Sequence, residues 1–122
     1  ERLERIVHPL VRAAQAEFLQ AGRDAGAAAV VLDIPLLFES GGAALVDKIV
    51  VVSAPTDVQR ARVLGRPGMT AEKFEALLAR QLPDAEKRAR ADFLIETDHG
   101  LEAARAATLA LIHRLTTGQA DA

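Results

Sequence analysis

Through the first 25 residues apolar positions recur every three or four residues, with Leu10, Ala14 and Phe18 in step, and this predicts a helix. Pro9 sits at an N-terminal position of it or kinks it after His8, and Gly22 or Gly26 supplies the stop. The pattern then changes. Residues 28–32 are an unbroken apolar run without alternation, which suits a strand covered on both faces, and the run ends in Asp33-Ile34-Pro35-Leu36-Leu37-Phe38-Glu39. Pro35 forbids further ladder pairing, so the predicted strand stops at 33 with a carboxylate at its end. Residues 34–46, with Gly41-Gly42, read as a loop or short helix.

Residues 48–53 form a second apolar, β-branched run, hence a second strand. Pro55-Thr56-Asp57-Val58-Gln59 then opens a helix, with Thr56 as N-cap and Gln59 at capping-box spacing, and Pro67-Gly68 breaks it after Arg66. Thr70 caps a further helix that sets Phe74, Leu77 and Leu78 on one face and runs to about Gln81. Pro83-Asp84 opens a short charged helix ending at Arg90, and residues 92–95 make a third, shorter strand with 96–100 as its exit loop. A last helix over 101–115 buries Leu101, Ala104, Thr108, Leu111, Ile112 and Leu115, and residues 116–122 fray. Strands alternating with helices predict an α/β fold with a parallel sheet, in a single partial domain over 1–122. Its parts are a first helix over 1–26, core strands and helices over 28–66, a lid-like helical segment over 67–90, a last strand and helix over 91–115, and a tail.

Composition narrows the picture. With 25 Ala and four Phe as the only aromatics, the chain suits helices packed closely on a sheet. A net charge of −2 gives no reason to expect nucleic acid or an anionic membrane as partner, and no run reaches transmembrane length. There is no Cys, which excludes disulfides and thiolate metal sites and fits an intracellular protein, and His8, His99 and His113 show no metal-ligand spacing. Arg outnumbers Lys twelve to three, and guanidinium forks suit bidentate recognition of phosphate.

Candidate chemistry follows from position. Ligands of open α/β sheets bind beyond the carboxyl ends of the strands, so Asp33 stands where chemistry is expected, although a polar strand cap looks the same in sequence. Arg62 and Arg66, four apart, share a helix face. They are either two solvated charges favoured by the helix dipole or a pair closing over transferring phosphates. His8 either donates to an anion or caps and packs; Glu39 orients a substrate hydroxyl, pairs with an arginine, or is a plain surface acid. Lys87-Arg88-x-Arg90, interleaved with Asp84 and Glu86, has the pattern of a solvated, salt-bridged face.

His8-Pro9-Leu10, Asp33-x-Pro35-Leu36-Leu37-x-Glu39, Val46-Asp47, Gln59-x-x-Arg62-x-x-x-Arg66, Arg80-Gln81, Lys87 and Ala91-Asp92-x-x-Ile95 with Gly100 occur in this order across nearly the whole chain. Together they resemble the dephospho-coenzyme A kinase family, P-loop kinases that phosphorylate the ribose 3′-hydroxyl in the last step of coenzyme A synthesis. The resemblance implies a P-loop-kinase-like parallel sheet flanked by helices, ATP and Mg²⁺ as cofactors, dephospho-coenzyme A as partner, and a cytoplasmic setting. It implies substrate contacts at His8, Pro35, Leu36 and Glu39, phosphate contacts at Arg62 and Arg66, nucleotide contacts at Thr97 and Gly100, and a water-mediated metal contact at Asp33. Two departures stand out. The family's exit loop often carries Asn before its Gly, where this chain has Thr97-Asp98-His99-Gly100. No G-x-x-x-x-G-K-[ST] loop occurs, and the chain opens at Glu1 in a helical pattern. The chain therefore reads as the C-terminal portion of such a kinase, missing its first strand–P-loop–helix, partnered by that N-terminal segment and inactive alone. The alternatives are another nucleoside or nucleotide kinase of the same fold, or a non-catalytic binding or scaffold fragment.

Overall fold

The computed structural model describes residues 2–118, which form two compact units, one of residues 34–112 and one of residues 2–33 with 113–118.

In the second of these, helix α1 spans Arg2–Asp24 and carries Pro9 in its interior. It ends in a Schellman turn. Gly26 takes φ 68°, its N–H donates to the Arg23 carbonyl at 3.1 Å, and the Ala27 N–H donates to the Gly22 carbonyl at 3.0 Å. Gly22 also lets the chain fold back, because a β-carbon there would collide with the Val30 side chain. The apolar stripe of α1 is exposed, with Leu3, Ile6, Leu10 and Phe18 all more than half accessible.

Residues 28–33 are not a strand, contrary to the sequence pattern. A strand exists only where a neighbour takes up its N–H and C=O groups, and no ladder partner faces this run among the described residues. Val31 is 77 % exposed, so the run is not buried on both faces either.

The unit of residues 34–112 holds the sheet. Turns over 35–41 lead into a 3₁₀ turn, Gly42–Leu45, with Gly41 at φ 76°. Strand β1, Val50–Ser53, pairs in parallel with β2, Phe93–Glu96, so that Val50 faces Phe93 and Ser53 faces Glu96. The sheet has these two strands rather than three among the described residues. Asp92 starts the ladder by accepting from the Ile49 N–H at 2.8 Å, which satisfies a donor that no third strand reaches.

Helices α2 (Thr56–Leu64), α3 (Ala71–Ala79) and α4 (Asp84–Arg90) separate the strands, and α5 (Leu101–Thr116) follows β2. Thr70 caps α3 as its position suggested, accepting from the Lys73 N–H at 3.2 Å. At α2 the cap is Pro55, with Thr56 already helical, so no capping box forms. The Gln59 amide turns away and donates to the Ala54 carbonyl at 2.7 Å and to Asp84 at 3.3 Å. Helix α3 stops at Ala79, short of Gln81.

The buried apolar residues of the described chain are Val51, Ala54, Phe74, Ile95 and Leu111. Of the residues expected to be buried along α5 only Leu111 is; Leu101 is 83 % and Ile112 48 % exposed, because α5 packs little against the other described elements. The frayed end expected over 116–122 lies partly outside the described residues; Thr116 itself is helical.

Candidate active site at the carboxyl edge of the sheet

Both parallel strands end at one edge, β1 at Ser53 and β2 at Glu96. Ser53 is the buried polar residue there, 3 % exposed. Its hydroxyl lies 2.8 and 3.0 Å from the two Asp84 carboxylate oxygens, to which it donates, and it accepts from Arg88 Nη1 at 3.2 Å. Arg88 Nη2 donates to Glu96 Oε1 at 3.0 Å, and Asp84 lies 3.8 Å from the guanidinium one helical turn away. A single side chain of α4 thus touches the ends of both strands.

Thr97, the first residue of the exit loop, is held from the other direction. Its N–H donates to the Ser53 carbonyl at 2.9 Å, extending the ladder by one rung. Arg62, on α2, donates to the Thr97 hydroxyl and carbonyl, both at 2.8 Å. The sequence pattern set Arg62 and Arg66 on one helix face. The structure does not, because α2 ends at Leu64 and Gly65 caps it. Arg66 falls in the turn before Gly68, which takes φ 75°, and its guanidinium has no hydrogen bond or ion pair among the described residues. One arginine is therefore committed to the exit loop while the other is unengaged.

Beyond Thr97, Asp98 and His99 lead to Gly100, at φ 93°, whose carbonyl accepts from Ala104 N–H at 3.2 Å and starts α5. His99 Nε2 lies 3.4 Å from Glu96 Oε2 and 3.5 Å from Asp98 Oδ1, and that Asp98 oxygen is buried without a hydrogen-bond donor. These three ligating atoms fall within 4.8 Å of one another, so Glu96, Asp98 and His99 are the residues of this edge able to hold a cation. A search for histidine spacing alone misses the group, because its other two members are carboxylates. Arg88 already grips the second oxygen of Glu96, and a cation would compete with it.

The segment with Pro35, Leu36 and Glu39 lies in the turns that open this unit. Pro35 is exposed and Leu36 is 44 % exposed. Glu39, by contrast, is turned onto the α3–α4 connection. Its Oε1 accepts from the Leu82 N–H at 3.2 Å and lies 3.7 Å from Lys87 Nζ, with the side chain only 15 % exposed. Arg90 stacks over the Phe38 ring at 5.7 Å. Glu39 pairs with a lysine rather than an arginine.

His8 and Asp33 belong to the other compact unit. His8 lines an open groove of about 440 Å³ on α1 with Glu4, Arg5, Pro9 and Arg12. Asp33 is exposed, with no side-chain hydrogen bond or ion pair among the described residues; a carboxylate is the hard-oxygen donor that suits Mg²⁺ held through its waters.

Fold and edge together define a parallel α/β protein whose strand ends are organised by arginines and acids. Sequence comparison makes this specific. Residues 1–103 match the family model of dephospho-CoA kinase. A dephospho-CoA kinase from Mesorhizobium japonicum is 62 % identical over 115 residues, covering 94 % of this chain and 58 % of the relative. One from Agrobacterium fabrum is 57 % identical over 114 residues, covering 93 % and 59 %. Among solved structures, the crystal structure of TT1252 from Thermus thermophilus superposes with a TM-score of 0.72 at 34 % identity, covering 94 % of this chain and 59 % of that one. The chain belongs to the dephospho-CoA kinase family, and it spans just under three fifths of the length of these relatives. No helix among the described residues is long and apolar enough to cross a membrane.

Proposed function

We propose that the intact protein transfers the γ-phosphoryl group of ATP to the ribose 3′-hydroxyl of dephospho-coenzyme A, the last step of coenzyme A biosynthesis, in the cytoplasm. The observation that carries this reading is the family match over residues 1–103, supported by 62 % identity to a dephospho-CoA kinase. In the reaction the 3′-oxygen bonds to the γ-phosphorus, the bond to the oxygen bridging to ADP breaks, and the hydroxyl proton leaves. Charge spreads over the equatorial phosphoryl oxygens in such a transition state, so fixed cations that meet it lower the barrier.

Arg66 takes that role: its guanidinium is exposed, and among the described residues no acid pairs with it. Arg62 acts on the same site through Thr97, whose carbonyl and hydroxyl it holds, and the exit loop over Thr97 to Gly100 borders the nucleotide. Pro35 and Leu36 contact the acceptor; His8 is assigned an acceptor contact on its own unit. Glu39 sets the turn that presents Pro35 and Leu36 by holding it to the Leu82 N–H. Asp33 would hold Mg²⁺ through water, and the bound metal supplies charge neutralisation at the β- and γ-phosphates. Cradling those phosphates falls to a P-loop carried by the rest of the protein, without which this chain is inactive.

The test is a transfer assay on the intact protein with ATP, Mg²⁺ and a panel of acceptors. Dephospho-coenzyme A should be phosphorylated, with the new phosphate on the ribose 3′-oxygen by mass spectrometry and phosphorus NMR. Preference for a nucleoside monophosphate would replace this reading with another kinase of the same fold. Robust transfer by residues 1–122 alone would refute the role given to the P-loop.

A further inference from the structure

Arg88 sits in a stretch, Lys87-Arg88-x-Arg90, whose pattern is that of a solvated face, yet its surroundings are those of a junction. Its guanidinium donates to Ser53 at the end of β1 and to Glu96 at the end of β2, and it lies beside Asp84 on its own helix. Ser53 is 3 % exposed and also takes part in the Asp84 contact, so the three polar groups of β1 and α4 satisfy one another. A guanidinium can hold partners in several directions at fixed angles, which an ammonium cannot. The consequence is geometric. Glu96 is the last β2 residue in register with β1, and Arg88 holds its side chain where the chain leaves the sheet towards Thr97 and Gly100. Ligands of parallel sheets bind at that edge.

We propose that Arg88 is a positioning residue for the nucleotide: by tying Glu96 to Ser53 and Asp84 it sets the β2 exit turn in the conformation that binds ATP, without touching ATP itself. The inference rests on the reading of this edge as an ATP site. It assigns Arg88 to binding and leaves the phosphoryl-transfer step to other residues. A residue of purely structural importance would instead lower the folded fraction and leave the affinity of the remaining molecules alone.

The experiment uses the intact protein and measures ATP affinity by calorimetry without acceptor, then KM for ATP and kcat with dephospho-coenzyme A, beside the melting temperature. Arg88→Met should weaken ATP binding and raise its KM about tenfold, the loss expected of a charge-assisted contact acting through one intermediary, with kcat within about threefold of wild type. Arg88→Lys keeps the charge but reaches fewer partners, and should recover part of the affinity. Should Arg88→Met fail to fold, Glu96→Gln removes the charge that Arg88 grips at nearly constant shape and should give the same direction of shift. A fall in melting temperature with ATP affinity within about twofold of wild type overturns the proposal, as does a fall in kcat at constant KM. Wild-type protein that binds ATP but does not phosphorylate dephospho-coenzyme A refutes the proposed function alone. Wild-type activity together with unchanged ATP affinity in the variants refutes the role of Arg88 alone.

Discussion

Arg62 and Arg66 look equivalent in the sequence, and the structure separates them into two distinct experiments. Among the described residues Arg66 has no hydrogen-bond or ion-pair partner to lose. Substituting an exposed, unengaged side chain moves stability by under about 0.5 kcal/mol, so Arg66→Lys should melt with the wild type. Its effect should be confined to transfer. Arginines that meet a phosphoryl transition state contribute about 10³–10⁵ in turnover, and lysine supplies the charge without the fork, so a drop of roughly tenfold or more in kcat is expected.

Arg62 holds Thr97 through two hydrogen bonds of 2.8 Å. Bonds from a charged donor contribute about 1.5–3 kcal/mol when well covered, but these are exposed to water, and the pair contributes about 1 kcal/mol. A lysine reaches one acceptor at best. Arg62→Lys should therefore lower the melting temperature by about 2–4 °C in a protein of 150–250 residues, an effect absent from Arg66→Lys. The assays are a coupled ADP-release measurement and differential scanning calorimetry on the intact protein. Arg105→Lys on α5 is the control, with neither effect. Full turnover in Arg66→Lys would return that residue to a solvated charge beside a helix end. An unshifted melt in Arg62→Lys would show that the Thr97 contact contributes nothing in solution.

Two further substitutions probe the scaffold. Glu39→Ala removes the acceptor for the Leu82 N–H as well as the Lys87 ion pair and should cost about 1 kcal/mol in urea unfolding, whereas Glu39→Gln keeps an acceptor and should cost less than half of that; equal costs would mean that the ion pair, not the backbone contact, holds the turn. Phe74→Ala removes a 5 % exposed ring beneath Arg60 and should cost about 3–5 kcal/mol in the same measurement, with a loss under about 1 kcal/mol indicating that the α3 packing is not formed in solution.

What the sequence disclosed divides along a physical line. Local signals were legible: the β-branched run that became β1, the Thr70 cap, the stop at Gly26, and the charged helix after Pro83. Signals that depend on a distant partner were not. Residues 28–33 have the composition of a strand, but pairing is set by what lies alongside, and nothing in a run of alanines and valines reports that. Gln59 has capping-box spacing, yet its amide finds Ala54 and Asp84 instead, the second of them 25 residues away. Arg62 meets Thr97, and Arg88 meets Ser53, each across 35 positions, so no spacing rule relates them. A weaker clue existed. A serine closing an apolar strand has a hydroxyl that must be satisfied once buried, and Asp84 with Arg88 one turn later is a pair able to do it.

The same line bears on how the edge works. Few side chains are buried among the described residues, and none of the buried apolar ones lies in the exit loop beyond Ile95. The start of the loop, Glu96 and Thr97, is instead held by hydrogen bonds, from Thr97 to the Ser53 carbonyl and from Arg62 and Arg88 to Thr97 and Glu96. Each such bond contributes only about 0.5–1.5 kcal/mol net, and those open to water contribute less. A segment held this way belongs to the low-stability end of a structure, where local rearrangement costs little. Under the proposed function, in which this edge binds and releases a phosphate-bearing ligand, weak but directional restraint is the fitting arrangement: the guanidinium groups define one preferred geometry at a small energetic cost to rearrangement. Arginine serves this better than a larger apolar contact would, since its fork specifies direction while its exposure keeps the energy small.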